Sequence, residues 1–153
     1  EHGISSYGEL ESKLTAISAR RDTAHAEIKR IESRSAELAL VMKHAGTYRQ
    51  LKPLYDRYRK SNDKEKFLRG HESEIILFEA AARELKRLGA VPLPTTESMK
   101  TELANLNAEK ERLLAEYKAA RTEAQEYETV KQNVDALLTV PKEQEQQRRH
   151  ELE

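Results

Sequence analysis

The chain has 153 residues, enough for one domain, but only 37% are hydrophobic and 35% are charged, with no Trp and two Phe, so a thick globular core is not expected. Lys plus Arg equals Asp plus Glu at 27 each, and any electrostatic signal must therefore be local. The absence of cysteine excludes disulfides and thiolate metal sites, no apolar run approaches the roughly 18 residues that span a membrane, and the start Glu1-His2-Gly3-Ile4 is no signal peptide.

Five Gly and four Pro leave little material for the turns of a β-fold, whereas Ala, Leu, Glu, Lys, Arg and Gln, the good helix formers, are abundant. The predicted fold is all-α: a long antiparallel coiled-coil hairpin capped by a short helical head. Residues 1–5 form an N-terminal lead. The missing initiator Met points to an excised segment, and Leu152-Glu153 is either native or a cloning remnant.

The first coiled-coil helix is expected over 6–42. Ser5 or Ser6 caps it, with Glu9 three residues after Ser6 to complete a capping box. Its seam steps by three and four through Leu10, Leu14, Ile17, Ala24, Ile28, Ile31, Leu38 and Met42, starting at Tyr7 and interrupted by Arg21 and Ser35.

The middle, 43–95, reads as the helical head. Leu51, Leu54, Tyr55 and Tyr58 predict a helix around 47–60, either separate from the first helix or continuous with it, and bent by Pro53. Ser61-Asn62-Asp63 reads as a break and a new cap, and a second helix runs to Gly89, a C-terminal stop. Within the head, 43–69 carries nine basic residues against three acidic, while the rest of the chain is net negative. Arg49, Lys52, Arg57, Arg59, Lys60, Lys64, Lys66 and Arg69 are interleaved with Tyr48, Tyr55 and Tyr58. Cations neutralise phosphates and aromatic faces stack on unpaired bases, so these eight residues are the candidate DNA contacts. The plainer reading is a solvated helix face with the tyrosines packed into the head.

The second coiled-coil helix is expected over 96–140, capped by Thr95 or Thr96. Its seam runs through Met99, Leu103, Leu106, Leu113, Tyr117, Ala120, Ala124, Tyr127, Val134 and Leu138, with Lys110 and Lys131 interposed. Matching large residues to small ones sets Ile17 against Ala124 and Ala24 against Tyr117; a shift by one heptad would set Ala24 against Ala124 and leave a void. Pro141 is expected to end this helix, and 141–153 to form a disordered polar tail.

No catalytic, cofactor-binding or metal-binding residue is identified. The histidines at 2, 25, 44, 71 and 150 have no metal-ligand spacing, and His71-Glu72 point to different sides of a helix. The many carboxylates alternate with Lys and Arg as exposed ion pairs, and a thin hairpin offers no dry pocket to shift their pKa values. Tyr117 and Tyr127 read as core. Arg21, Lys110 and Lys131 either reach along the surface to water or mark a docking seam for a partner chain.

Three stretches, Gly3-Ile4-Ser5-Ser6-Tyr7-Gly8-Glu9-Leu10, Lys66 through Leu77 (Lys-Phe-Leu-Arg-Gly-His-Glu-Ser-Glu-Ile-Ile-Leu) and Val130-Lys131-Gln132-Asn133-Val134-Asp135-Ala136-Leu137-Leu138, resemble the C-terminal region of relaxases, the mobilisation nucleases of Gram-positive integrative and conjugative elements. Such enzymes nick the transfer origin with a tyrosine and a metal held by a histidine cluster in their N-terminal domain, and that histidine triplet does not occur here. The resemblance therefore implies a noncatalytic, cytoplasmic bacterial module, without cofactor, that helps recruit the relaxase–DNA complex to the coupling protein or accessory proteins of the transfer machinery. Two alternatives stand beside it: an accessory DNA-binding module using 43–69, and a dimerisation coiled coil that would make the chain a homodimer.

Overall fold

The computed structural model describes residues 6–152, with the side chains of 139–145 left aside. It is all-α: α1 spans Tyr7–Lys60, α2 Lys64–Arg87 and α3 Thr96–Glu151. The long helices α1 and α3 pack against each other as a helical hairpin, and the chain divides into two units. Unit 1 holds the chain up to Lys29 and from Lys110 onward; unit 2 holds Arg30–Glu109.

In unit 1, α1 starts at the expected cap, where the Glu9 backbone N–H donates to Ser6 Oγ at 3.2 Å. The core is the heptad seam: Leu10, Ile17, Ala120, Ala124 and Tyr127 are buried together, with Leu14 and Val130 packed against them. Ile17 thus shares a cluster with Ala124, and the His25 ring lies 5.8 Å from that of Tyr117, so the volume-matched register is the one adopted. Ion pairs flank the seam. Arg20 meets Glu123 at 2.9 Å and Lys131 meets Glu11 at 4.0 Å.

Two of the seam cations pair within the chain. Arg21 is half-buried and pairs with Asp22, and the half-buried Lys131 reaches Glu11 with its ammonium. The expected stop at Pro141 and a disordered tail beyond it are corrected, since α3 continues to Glu151. The reason is composition: Lys142 to Glu151 contains no Gly, Pro or β-branched residue and consists largely of strong helix formers. Residues 1–5, which include the proposed lead, His2 and the start of the first relaxase-like stretch, lie outside the described residues.

In unit 2, α1 does not end near 42. It runs on to Lys60 with Pro53 inside it, which corrects the expected boundary between first helix and head. The physical reason is a second stripe at three and four spacing, Val41, Ala45, Tyr48, Tyr55 and Tyr58, whose tyrosines meet the rings of α2. Val41 and Ala45 are buried while Met42 is half-buried. Phe78 of α2 stacks between Tyr48 at 4.8 Å and Tyr55 at 4.3 Å, and Phe67 lies 6.0 Å from Tyr58. These contacts flank Pro53 on both sides and hold the helix together across the hydrogen bond that proline removes.

The ends of α2 follow the sequence. Asp63 is the N-cap, its carboxylate accepting from the Lys66 N–H at 3.1 Å. Gly89 takes φ 71°, which lets the Ala90 N–H reach the Leu85 carbonyl at 2.9 Å and the Gly89 N–H reach Lys86 at 3.1 Å, a Schellman stop with buried Leu85 and Ala90 at its two ends. The helix is kinked at His71, whose φ and ψ are −138° and 27°, directly after Gly70. Thr95 then caps α3 by accepting from the Ser98 N–H at 3.1 Å.

Candidate functional site

The eight candidate cations fall into three groups. Arg49 is structural: its guanidinium donates to Thr96 Oγ1 at 2.7 Å and to the Pro94 carbonyl, tying α1 to the entry of α3. Lys52 is paired with Asp56 at 3.2 Å, one helical turn on. Arg69 bends back to the Glu65 carbonyl at 3.4 Å. The other five, Arg57, Arg59, Lys60, Lys64 and Lys66, are exposed, and their side chains have no partner among the described residues.

Those five flank one short turn. Arg57, Arg59 and Lys60 occupy the last turn of α1, Lys64 and Lys66 the first turn of α2, and only Ser61, Asn62 and Asp63 separate them. The link is tight: the Ser61 N–H donates to the Tyr58 carbonyl at 3.2 Å, and Ser61 Oγ accepts from the Asp63 N–H at 3.3 Å. Asp63 and Glu65 sit in the same region and offset two of the five charges.

The three tyrosines are half-buried and turn ring faces towards α2 or one another. Tyr48 and Tyr55 lie on the two faces of Phe78, and Tyr58 leans on Tyr55 and Phe67. The alternating cations and tyrosines thus differ in burial, with the tyrosines half-buried and Arg57, Arg59 and Lys60 exposed. A shallow open groove of about 490 Å³ runs between α1 and α2, lined by Tyr48, Tyr55 and Phe78 together with Arg59, Arg83 and Glu79. Arg83 carried no signal in the sequence, because its position beside the groove depends on how α2 lies along α1.

Titratable groups with altered affinities for protons sit in ion pairs or in hydrogen bonds to a carboxylate. Arg34 forms a bidentate pair with Glu102 at 2.7 and 3.1 Å; these hydrogen bonds hold the Glu102 carboxyl below its usual range and raise Arg34. Arg87 does the same for Glu84. The Tyr7 phenol, hydrogen-bonded to the Asp135 carboxylate, is pushed up to about 12. None of these lines the groove.

His71 Nδ1 is 3.6 Å from Glu74 Oε2 and its ring is 4.7 Å from Phe67. Among the described residues no group of three His, Asp or Glu side chains converges to hold a metal, and no helix is long and apolar enough to cross a membrane.

The Lys66–Leu77 stretch forms the first half of α2 and turns in two directions. Phe67 faces Tyr58 and Ile75 is buried, whereas Ile76 and Leu77 are 53% and 55% exposed. The Val130–Leu138 stretch lies on α3 and likewise leaves Leu137 and Leu138 exposed. Set against protein-family models, curated proteins and solved structures, the chain matches none.

Proposed function

We propose that this chain is a noncatalytic helical interaction module of a conjugative relaxase, and that it helps recruit the relaxase–DNA complex to the coupling protein of the transfer machinery. The reading rests on the resemblance of the Gly3–Leu10, Lys66–Leu77 and Val130–Leu138 stretches to relaxase C-terminal regions, and one structural observation carries it. Ile76 and Leu77, adjacent within the most distinctive of those stretches, are more than half exposed on α2 while their neighbours Ile75 and Phe78 are buried. A helix needs only one apolar stripe to fold onto its own chain; two large aliphatic side chains on the outer side of α2 are free to be covered by another protein.

The test is direct binding of the chain to the purified soluble domain of the coupling ATPase from the same element, beside the Ile76→Ser/Leu77→Ser variant. Both positions are exposed, so the variant is expected to melt within about 0.5 kcal/mol of the parent. Loss of binding by about tenfold or more at unchanged stability is the expected result. Binding that the double substitution leaves intact would overturn the docking face, and an absence of binding by the parent chain would overturn recruitment through this partner.

A further inference from the structure

We propose that the α1–α2 turn binds the phosphate backbone of duplex DNA, without stacking on bases. The inference does not rest on the docking reading above; it stands on the placement of five charges.

Arg57, Arg59 and Lys60 have a sufficient local explanation. They lie in the last turn of α1, where cations meet the negative end of the helix dipole. Lys64 and Lys66 have none. They lie in the first turn of α2, where the free N–H groups and the dipole are positive, so each cation is disfavoured there and neither gains an ion pair in return. Charge placed against local stability and left unpaired calls for a partner that supplies the missing anion.

The turn adds the two sets together. The three cations ending α1 and the two opening α2 are held within one helical turn of a three-residue link whose own hydrogen bonds fix it. After Asp63 and Glu65 are counted, the surface keeps a net positive charge. Such a surface fits a polyanion of high linear charge density, and duplex DNA carries one charge per roughly 1.7 Å.

The exposed charge favours duplex over single strand. Recognition of unpaired bases needs open ring faces, and Tyr48, Tyr55 and Tyr58 are half-buried, with ring contacts to Phe78, Phe67 and one another. The five cations are exposed, and cations contact phosphates without base readout.

Fluorescence anisotropy of the full chain with labelled duplex of about 25 base pairs, with the matching single strand, and with phosphatidylglycerol vesicles tests this. Three to five phosphates neutralised should lower duplex affinity about 40- to 500-fold between roughly 50 and 200 mM salt, equally for two unrelated sequences. Lys64→Ala/Lys66→Ala should make the logarithmic salt slope less negative by about two, while its melting temperature stays the same or rises because two cations leave a helix N-terminus. That combination separates binding from a structural role. No duplex binding at the lower salt, a slope unchanged in the double variant, tighter binding of the single strand, or binding to the vesicles in place of duplex would each overturn the assignment.

Discussion

Arg34 and Glu102 show what a single surface pair contributes in this chain. Both side chains are about 40% exposed, so solvent screens them, and a double-mutant cycle with Arg34→Ala and Glu102→Ala should give a coupling of about 0.5–1 kcal/mol at neutral pH. Because the folded-state carboxyl of Glu102 titrates below its ordinary value of 4.5, that coupling is fully present above about pH 4.5 and is lost as pH falls through the lowered folded value. Urea titrations of the four proteins at pH 7 and pH 3 measure both limits. Tyr7 behaves with the opposite sign: its phenol is raised from 10.0 to about 12 by the Asp135 hydrogen bond, so its contribution holds below pH 10 and disappears as pH rises through 12. Asp135→Ala should return Tyr7 towards pH 10, read as the ultraviolet absorbance difference between that variant and Asp135→Ala/Tyr7→Phe. Gly89→Ala meets no atom within 4 Å of the added Cβ, so its cost is backbone alone, roughly 1–2 kcal/mol for a non-glycine residue held in the left-handed region.

The elements differ in how clearly the sequence announces them. The seam from Leu10 to Leu38 and its partner from Met99 to Tyr127 repeat at three and four over many turns, and periodicity of that length outweighs any single exception. Hence the hairpin and its register were legible, down to Ile17 beside Ala124. Caps at Ser6, Asp63 and Thr95 and the stop at Gly89 were legible too, because each is a local device. The passage of a helix through Pro53 was legible as a bent helix around 47–60, but its fusion with the first helix was left open, because that depends on the contacts of Tyr48, Tyr55 and Phe78 on either side of the proline. The same blindness applied to the candidate site. The sequence marked 43–69 as basic, but only the folded chain divides Arg49 and Lys52, which are engaged, from Lys64 and Lys66, which are not. Burial separates positions just as sharply. Ile31, fully buried in α1, should lose about 2–4 kcal/mol on substitution by Ala, whereas Leu40, 43% exposed on the same helix, should lose no more than about 0.5 kcal/mol; chemical unfolding followed by circular dichroism distinguishes them.

For the whole molecule, the antiparallel pairing of α1 with α3 has a direct chemical readout. Carbodiimide joins a lysine to a carboxylate it touches, so digestion and mass spectrometry should recover a Glu11–Lys131 amide from the native chain; a cross-link to carboxylates a heptad away would contradict the register. Two exposed surfaces of unit 2 differ in chemistry, aliphatic at Ile76 and Leu77 and cationic at the α1–α2 turn. Their separation permits one test of the proposal that the chain recruits and does not catalyse. That proposal predicts that, in a relaxase carrying this chain, Ile76→Ser/Leu77→Ser leaves nicking at the transfer origin within about twofold of wild type while conjugative transfer falls by about tenfold or more. Nicking lost together with transfer, or both left at wild-type levels, would contradict the account.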